Sequence, residues 1–112
     1  MIEPIDQFGP HHRPEAAPGT AAVALTARGC GACRLLEAAL AELARCRPGL
    51  RLFEADAQVD TALVRELEVF HLPALFLCRE GHFHCALHAR PTPDALAEAI
   101  ERALRTSAEE AP

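Results

Sequence analysis

Two cysteines three residues apart, Cys30 and Cys33, with Gly31 and Ala32 between them, carry the chemistry of this 112-residue chain. Such a pair can supply half of a metal site, or it can cycle between dithiol and disulfide. The surroundings favour the second reading. Val23-Ala24-Leu25 reads as a strand, Thr26-Ala27-Arg28-Gly29 as a connection, and a long helical pattern opens at the cysteines. Disulfide exchange needs a thiolate, so the site must favour the charged form of one sulfur. Cys30 falls where the helix begins, beside unpaired backbone N–H groups and the positive end of the dipole. Arg28 and Arg34 add positive potential. Cys33 follows one turn later on the same helix face, close enough for a disulfide. The expected division of labour has Cys30 attacking a client disulfide and Cys33 resolving the mixed intermediate. Gly31 lets a client backbone come close. The plain alternative is an idle pair at a helix start.

The elements that must hold this pair are legible on either side of it. Residues 20–27 read as a strand. After Cys33, Leu35, Leu36, Ala39, Leu40 and Leu43 recur at helical spacing, with Cys46 expected on the same core face, until Pro48-Gly49 stops the helix. Leu50 to Ala55 alternates as a strand does. Asp60 or Thr61 can cap a helix carrying Leu63, Val64 and Leu67. A compact apolar strand, Ala74 to Cys78, follows Leu72-Pro73. Arg79-Glu80-Gly81-His82 then has the chemistry of a tight hairpin turn leading to Phe83-His84-Cys85-Ala86-Leu87. Thr92-Pro93-Asp94 starts a last helix with Leu96, Ala99, Ile100, Ala103 and Leu104 on one face. The order β-α-β-α-β-β-α implies an α/β fold, a mixed sheet with helices on both faces. Residues 1–19 hold four of the nine prolines and are expected to form a loose or irregular arm. The regular domain is expected over 20–106, with a frayed tail over 107–112.

Composition narrows the classes. One domain is expected from the length, and half the residues are hydrophobic. The net charge of −5 and the lack of a basic run argue against a nucleic-acid partner. No apolar stretch reaches the roughly 20 residues needed to span a bilayer, and no membrane partner is expected. The first residues lack the basic start and apolar run of a secretory leader, so the cytoplasm is the expected compartment. Five cysteines cannot all pair. Cys78 and Cys85 flank the turn, are expected diagonally on one sheet face, and read with Cys46 as reduced core residues. Six histidines invite a metal reading. His82 and His84 are expected on one side of their strand and Cys85 on the other, His11-His12 lies in the arm, and no four-ligand spacing emerges, so no metal or other cofactor is expected.

With Cys30-Gly31-Ala32-Cys33 opening the first long helix and Leu72-Pro73 opening the third strand, the chain resembles the thioredoxin family over residues 20 to about 105. The resemblance implies a three-layer sandwich around a four-stranded mixed sheet. It also implies a cis peptide at Pro73, beside the cysteines, and a turn glycine at Gly81. The backbone of Leu72 would bond to an extended client, so Gly31, Ala32, Leu72 and Pro73 form the expected client-binding surface, with His71 near its lip. Three positions depart from the family pattern: Gly29 replaces an aromatic residue, Ala32 replaces the proline between the cysteines, and Ala24 stands where many members carry a buried aspartate.

The expected function is dithiol–disulfide exchange with protein clients by a monomer, its electrons passing through a separate reductase or small thiol. Two other classes remain open. One is an interaction or chaperone-like module that keeps the cysteines with little turnover. The other is a metal-binding protein using the pair and some histidines.

Overall fold

A computed structural model describes residues 2–4, by backbone alone, and 19–109. The elements are β1 (Ile2–Pro4), β2 (Thr20–Thr26), α1 (Gly31–Cys46), β3 (Leu50–Asp56), α2 (Thr61–Glu66), β4 (Ala74–Arg79), β5 (His82–Ala86) and α3 (Pro93–Leu104). The strands form one mixed sheet in the order β1-β3-β2-β4-β5. The expected four-stranded core is β2 to β5. A fifth strand, β1, runs parallel to β3 at one edge, pairing Ile2 with Leu52. Part of the expected arm is therefore a strand; residues 5–18 of that arm lie outside the described residues.

β2 is the central strand, and its sequence explains why. Ala21, Ala22, Val23, Ala24 and Leu25 are all buried, with no polar side chain to expose on either face. Ala22 and Ala24 face α1 and α3, together with Leu36, Leu40, Leu52, Leu77, Leu96 and Ile100. Ala21, Val23 and Leu25 face the other layer, where Phe53, Phe76 and the α2 side chains Leu63 and Val64 gather. Small residues in the middle strand let helices approach from both sides. Each fully buried leucine of these layers contributes about 1.5–3 kcal/mol of transfer free energy.

Two side chains of α1 and the C-terminal tail depart from the sequence reading. Leu35 is 61% exposed, because the buried stripe runs through Cys33, Leu36, Ala39, Leu40 and Leu43 and Leu35 lies about 100° round the helix from Leu36. Cys46 is exposed too; the stripe continues at position 47, where Arg47 is half-buried. The tail expected to fray from Ser107 folds back on β5, where the Glu109 N–H donates to the His84 carbonyl at 2.6 Å. Residues 110–112 lie outside the described residues.

The hairpin corrects two further expectations. Its turn is the tight one read from Glu80-Gly81, both residues having positive φ (51° and 80°), as a two-residue hairpin loop of the I′ type requires. A bulge then shifts the register: Leu77 pairs with Cys85 but Cys78 with Phe83. The extra residue in β5 is His84. It throws Cys85 onto the α1/α3 face, while Cys78 faces the opposite layer. The two cysteines therefore do not share a face. Cys85 lies instead on the same side as buried His84, whose Nε2–H donates to the Ala103 carbonyl of α3 at 2.7 Å.

Candidate active site

Cys30 is the N-cap of α1, with an extended backbone (φ −98°, ψ 103°). Its sulfur accepts a hydrogen bond from the Cys33 N–H at 3.1 Å, and its carbonyl accepts from the Arg34 N–H. The sulfur thus fills the position that a serine or aspartate oxygen takes at other helix starts. Cys30 and Cys33 are joined as a disulfide, their Cα atoms 5.2 Å apart. The two sulfurs occupy different environments: Cys30 is partly exposed and Cys33 fully buried. Gly31 and Ala32 between them are exposed. Gly29, at φ +72°, makes the bend that lets the chain leave β2 and enter α1.

Register places the second expected lip. Leu25 pairs with Ala74, so Leu72 and Pro73, immediately before Ala74, lie at the same end of the sheet as the cysteine loop. The Leu72–Pro73 bond is cis. Leu72 is 37% exposed, and His71 is exposed beside it. The connection after β3 comes to this end as well, since the Ala57 N–H donates to the Thr26 carbonyl at 2.8 Å. The large exposed apolar side chains among the described residues are Leu35, Val59, Phe70 and Leu72. All four belong to segments meeting at the cysteine end of the sheet. An open groove of 560 Å³ leads away from Pro73 between the 67–71 loop and β5, floored by Phe76 and Phe83.

One part of the site escaped the sequence reading. The β3 alternation that buries Leu50 and Leu52 carries Glu54 onto the same face, opposite Ala24 in register. Glu54 Oε2 accepts from the Thr26 hydroxyl at 2.9 Å. Glu37 of α1 hydrogen-bonds Glu54, and that bond, with burial and the neighbouring negative charge, pushes the Glu37 carboxyl up from 4.5 to about 7. Arg34 opposes the shift: its Nε lies 3.0 Å from Glu37 Oε1, and its Nη2 donates to the Ala27 carbonyl at 3.1 Å. A signal existed in the sequence: a glutamate at the third inward position of a core strand, and another four residues past Cys33.

No group of three or more metal-ligating side chains occurs among the described residues. Nor is any helix there long and apolar enough to cross a membrane.

The thioredoxin family model matches residues 15–102 of the sequence. The chain belongs to the thioredoxin family. No curated protein matches it in sequence, but solved structures do in fold. Thioredoxin from Trypanosoma brucei brucei superposes with a TM-score of 0.78 at 17% identity, over 95% of this chain and 93% of that one. Mitochondrial thioredoxin 3 from Saccharomyces cerevisiae, in its oxidized form, gives 0.69 at 22% identity, over 79% and 82%. Human ERp44, in a zinc-bound form, gives 0.77 at 16% identity; the match takes in 91% of this chain but only 31% of that longer one. A thioredoxin fold with its Cys-x-x-Cys pair closed at disulfide distance is the arrangement of a thiol–disulfide oxidoreductase.

Proposed function

We propose that this thioredoxin-family chain exchanges a dithiol for a disulfide with protein clients, Cys30 as nucleophile and Cys33 as resolving thiol. The observation that carries this is the pairing of a partly exposed Cys30 sulfur, held on the Cys33 N–H at a helix N-terminus, with a Cys33 that is fully buried. Such a terminus favours the thiolate on the sulfur that a client can reach. The buried partner meets only what is already attached to Cys30. In the reductive direction the Cys30 thiolate attacks a client disulfide, one client sulfur leaves as thiolate, and a mixed disulfide forms. Cys33 then loses its proton and attacks Cys30, releasing the second client sulfur; the client gains two electrons and the pair loses them.

Exposed Leu35, Val59, Phe70 and Leu72 around the pair support a protein rather than a small polar client. Gly31, Ala32 and the Leu72–Pro73 backbone form the docking rim in this reading. The chain works as a monomer in the cytoplasm, its electrons supplied or removed by a separate reductase or small thiol. An interaction module with little turnover is the second reading. It is favoured by Gly29, which leaves the space before Cys30 without a side chain. Titration in glutathione redox buffers, with free thiols alkylated and mapped by mass, tests the exchange reading. A reversible two-electron transition confined to Cys30 and Cys33 supports it. The midpoint assigns the direction, reductant near about −270 mV and oxidant near about −120 mV. Cysteines that stay alkylatable throughout would leave the interaction module.

A further inference from the structure

The short α2 leaves part of the sheet with no helix above it. Beyond Glu66, the Glu68 N–H donates to the Arg65 carbonyl and the Val69 N–H to the Val64 carbonyl. These two bonds close the helix as a Schellman turn, with Glu68 at φ 52° in the position that usually takes glycine. The chain then swings out as the 67–71 loop, and the β4–β5 hairpin faces the open groove of 560 Å³. Phe76 and Phe83, with ring centroids 6.1 Å apart, form its floor. Phe83 is only half-buried, and Phe70 in the loop is 85% exposed. Each wall carries an exposed carboxylate: Glu68 on the loop, and Glu109 on the tail segment that bonds to the His84 carbonyl of β5. Among the described residues, the ion pairs use neither carboxylate. The groove is continuous with the lip of the site, since Pro73 lines it as well.

The geometry points to this groove as a second docking site for the client chain, taking a flanking segment in which an aromatic or branched apolar side chain precedes lysine or arginine. The inference rests on the exchange reading and names the class of client the pair would serve. The groove opens at Pro73, so a chain that brings its cysteine to this end of the sheet passes the mouth. Phe76 lies three residues along β4 from Pro73, about 10 Å, so about four to six extended residues carry a client side chain from its cysteine to the floor. An apolar floor between two carboxylates favours an apolar side chain with a positive neighbour and disfavours one with a negative neighbour. Glycine at position 68 would relieve the left-handed backbone; glutamate keeps a charge on the wall at a cost in strain.

The full chain, carrying Cys46→Ser to remove the exposed bystander thiol, is reduced and given short peptides at pH 8. Histidine is ordinarily uncharged there, and His71 and His88 share the lining. Each peptide holds one cysteine in a mixed disulfide with 2-nitro-5-thiobenzoate, and Phe-Lys, Phe-Glu or Ser-Lys about five residues away. Exchange oxidises the dithiol of the chain and releases the peptide thiol and thionitrobenzoate, whose absorbance gives the rate. The Phe-Lys peptide is expected to react about fivefold faster than either other at low ionic strength. In the Glu68→Lys, Glu109→Lys double variant the ratio of Phe-Lys to Phe-Glu should fall below one. That ratio cancels any change in the reactivity of the pair, and lysine fits the left-handed position 68 no better than glutamate. Equal rates in the parent, or a ratio untouched in the double variant, overturn the proposal. A peptide with serine for cysteine, titrated into the oxidised, isotope-labelled chain, reads docking without exchange. Amide shifts are expected at Val69, Phe83 and Glu109. Shifts confined to Leu35 and Val59 overturn the proposal, as do groove shifts that follow chain concentration alone and make a second copy the occupant. A parent that reduces no peptide overturns the exchange reading instead, and the titration then decides the groove.

Discussion

The backbone N–H of Cys33 points at the sulfur of Cys30, 3.1 Å away, so the residue proposed to resolve the exchange also holds the sulfur proposed to begin it. The bond needs only the main chain of residue 33. A substitution at that side chain can therefore separate attack from resolution.

Cys33→Ser should retain the Cys30 nucleophile and lose the second step. Incubated with oxidised glutathione, the variant is expected to accumulate one stable glutathione adduct at Cys30, seen by intact mass and peptide mapping. Cys30→Ser should show none at that position. Serine is a good N-cap, so α1 should persist in that variant, and circular dichroism checks this.

Stability should depend on pH through Glu37. Its carboxyl is held protonated up to about 7 in the folded chain, against 4.5 ordinarily. Between those values the folded state binds more protons than the unfolded one, so the contribution is whole below about 4.5 and lost as pH rises through about 7. Urea midpoints at pH 5 and pH 8 should differ less in Glu37→Gln than in the parent. The variant should be the more stable of the two at pH 8.

The hairpin turn holds Glu80 at φ 51°, a left-handed conformation in which glutamate is strained. Asparagine tolerates it better, and Glu80→Asn should stabilise the fold by roughly 0.5–1 kcal/mol. Gly81→Ala should cost about 1–2 kcal/mol. Thermal and denaturant unfolding measure both.

Thr92 caps α3 by accepting the Ala95 N–H at 3.2 Å. Thr92→Ala should cost about 1 kcal/mol, read from urea or thermal unfolding.

Much of this architecture is written locally. The Thr92-Pro93-Asp94 start, the Glu80-Gly81 turn and the Leu36-Leu40-Leu43 stripe each depend on neighbours within a few residues, and all are readable from the chain. Cys30 and Cys33 were readable for the same reason: their spacing and the helix that follows lie in one stretch. What escaped depends on pairing across the sheet. The bulge at His84 cannot be counted from a strand pattern, and one inserted residue moves Cys85 off the face it was expected to share with Cys78. The partnership of Glu37 with Glu54 needs the register that sets Glu54 opposite Ala24. Each glutamate taken singly looks like an ordinary surface charge. Edge strand β1 depends on a pairing partner some fifty positions away.

The irregularity in the last hairpin also governs whether its two cysteines can act as a second redox pair. By sending Cys78 and Cys85 to opposite sides of the sheet, it puts a wall of backbone between two thiols that would otherwise sit a strand apart. Neither thiol can reach the other across the strand pair. The hairpin therefore adds no second disulfide of its own to the two electrons that the Cys30–Cys33 pair can carry.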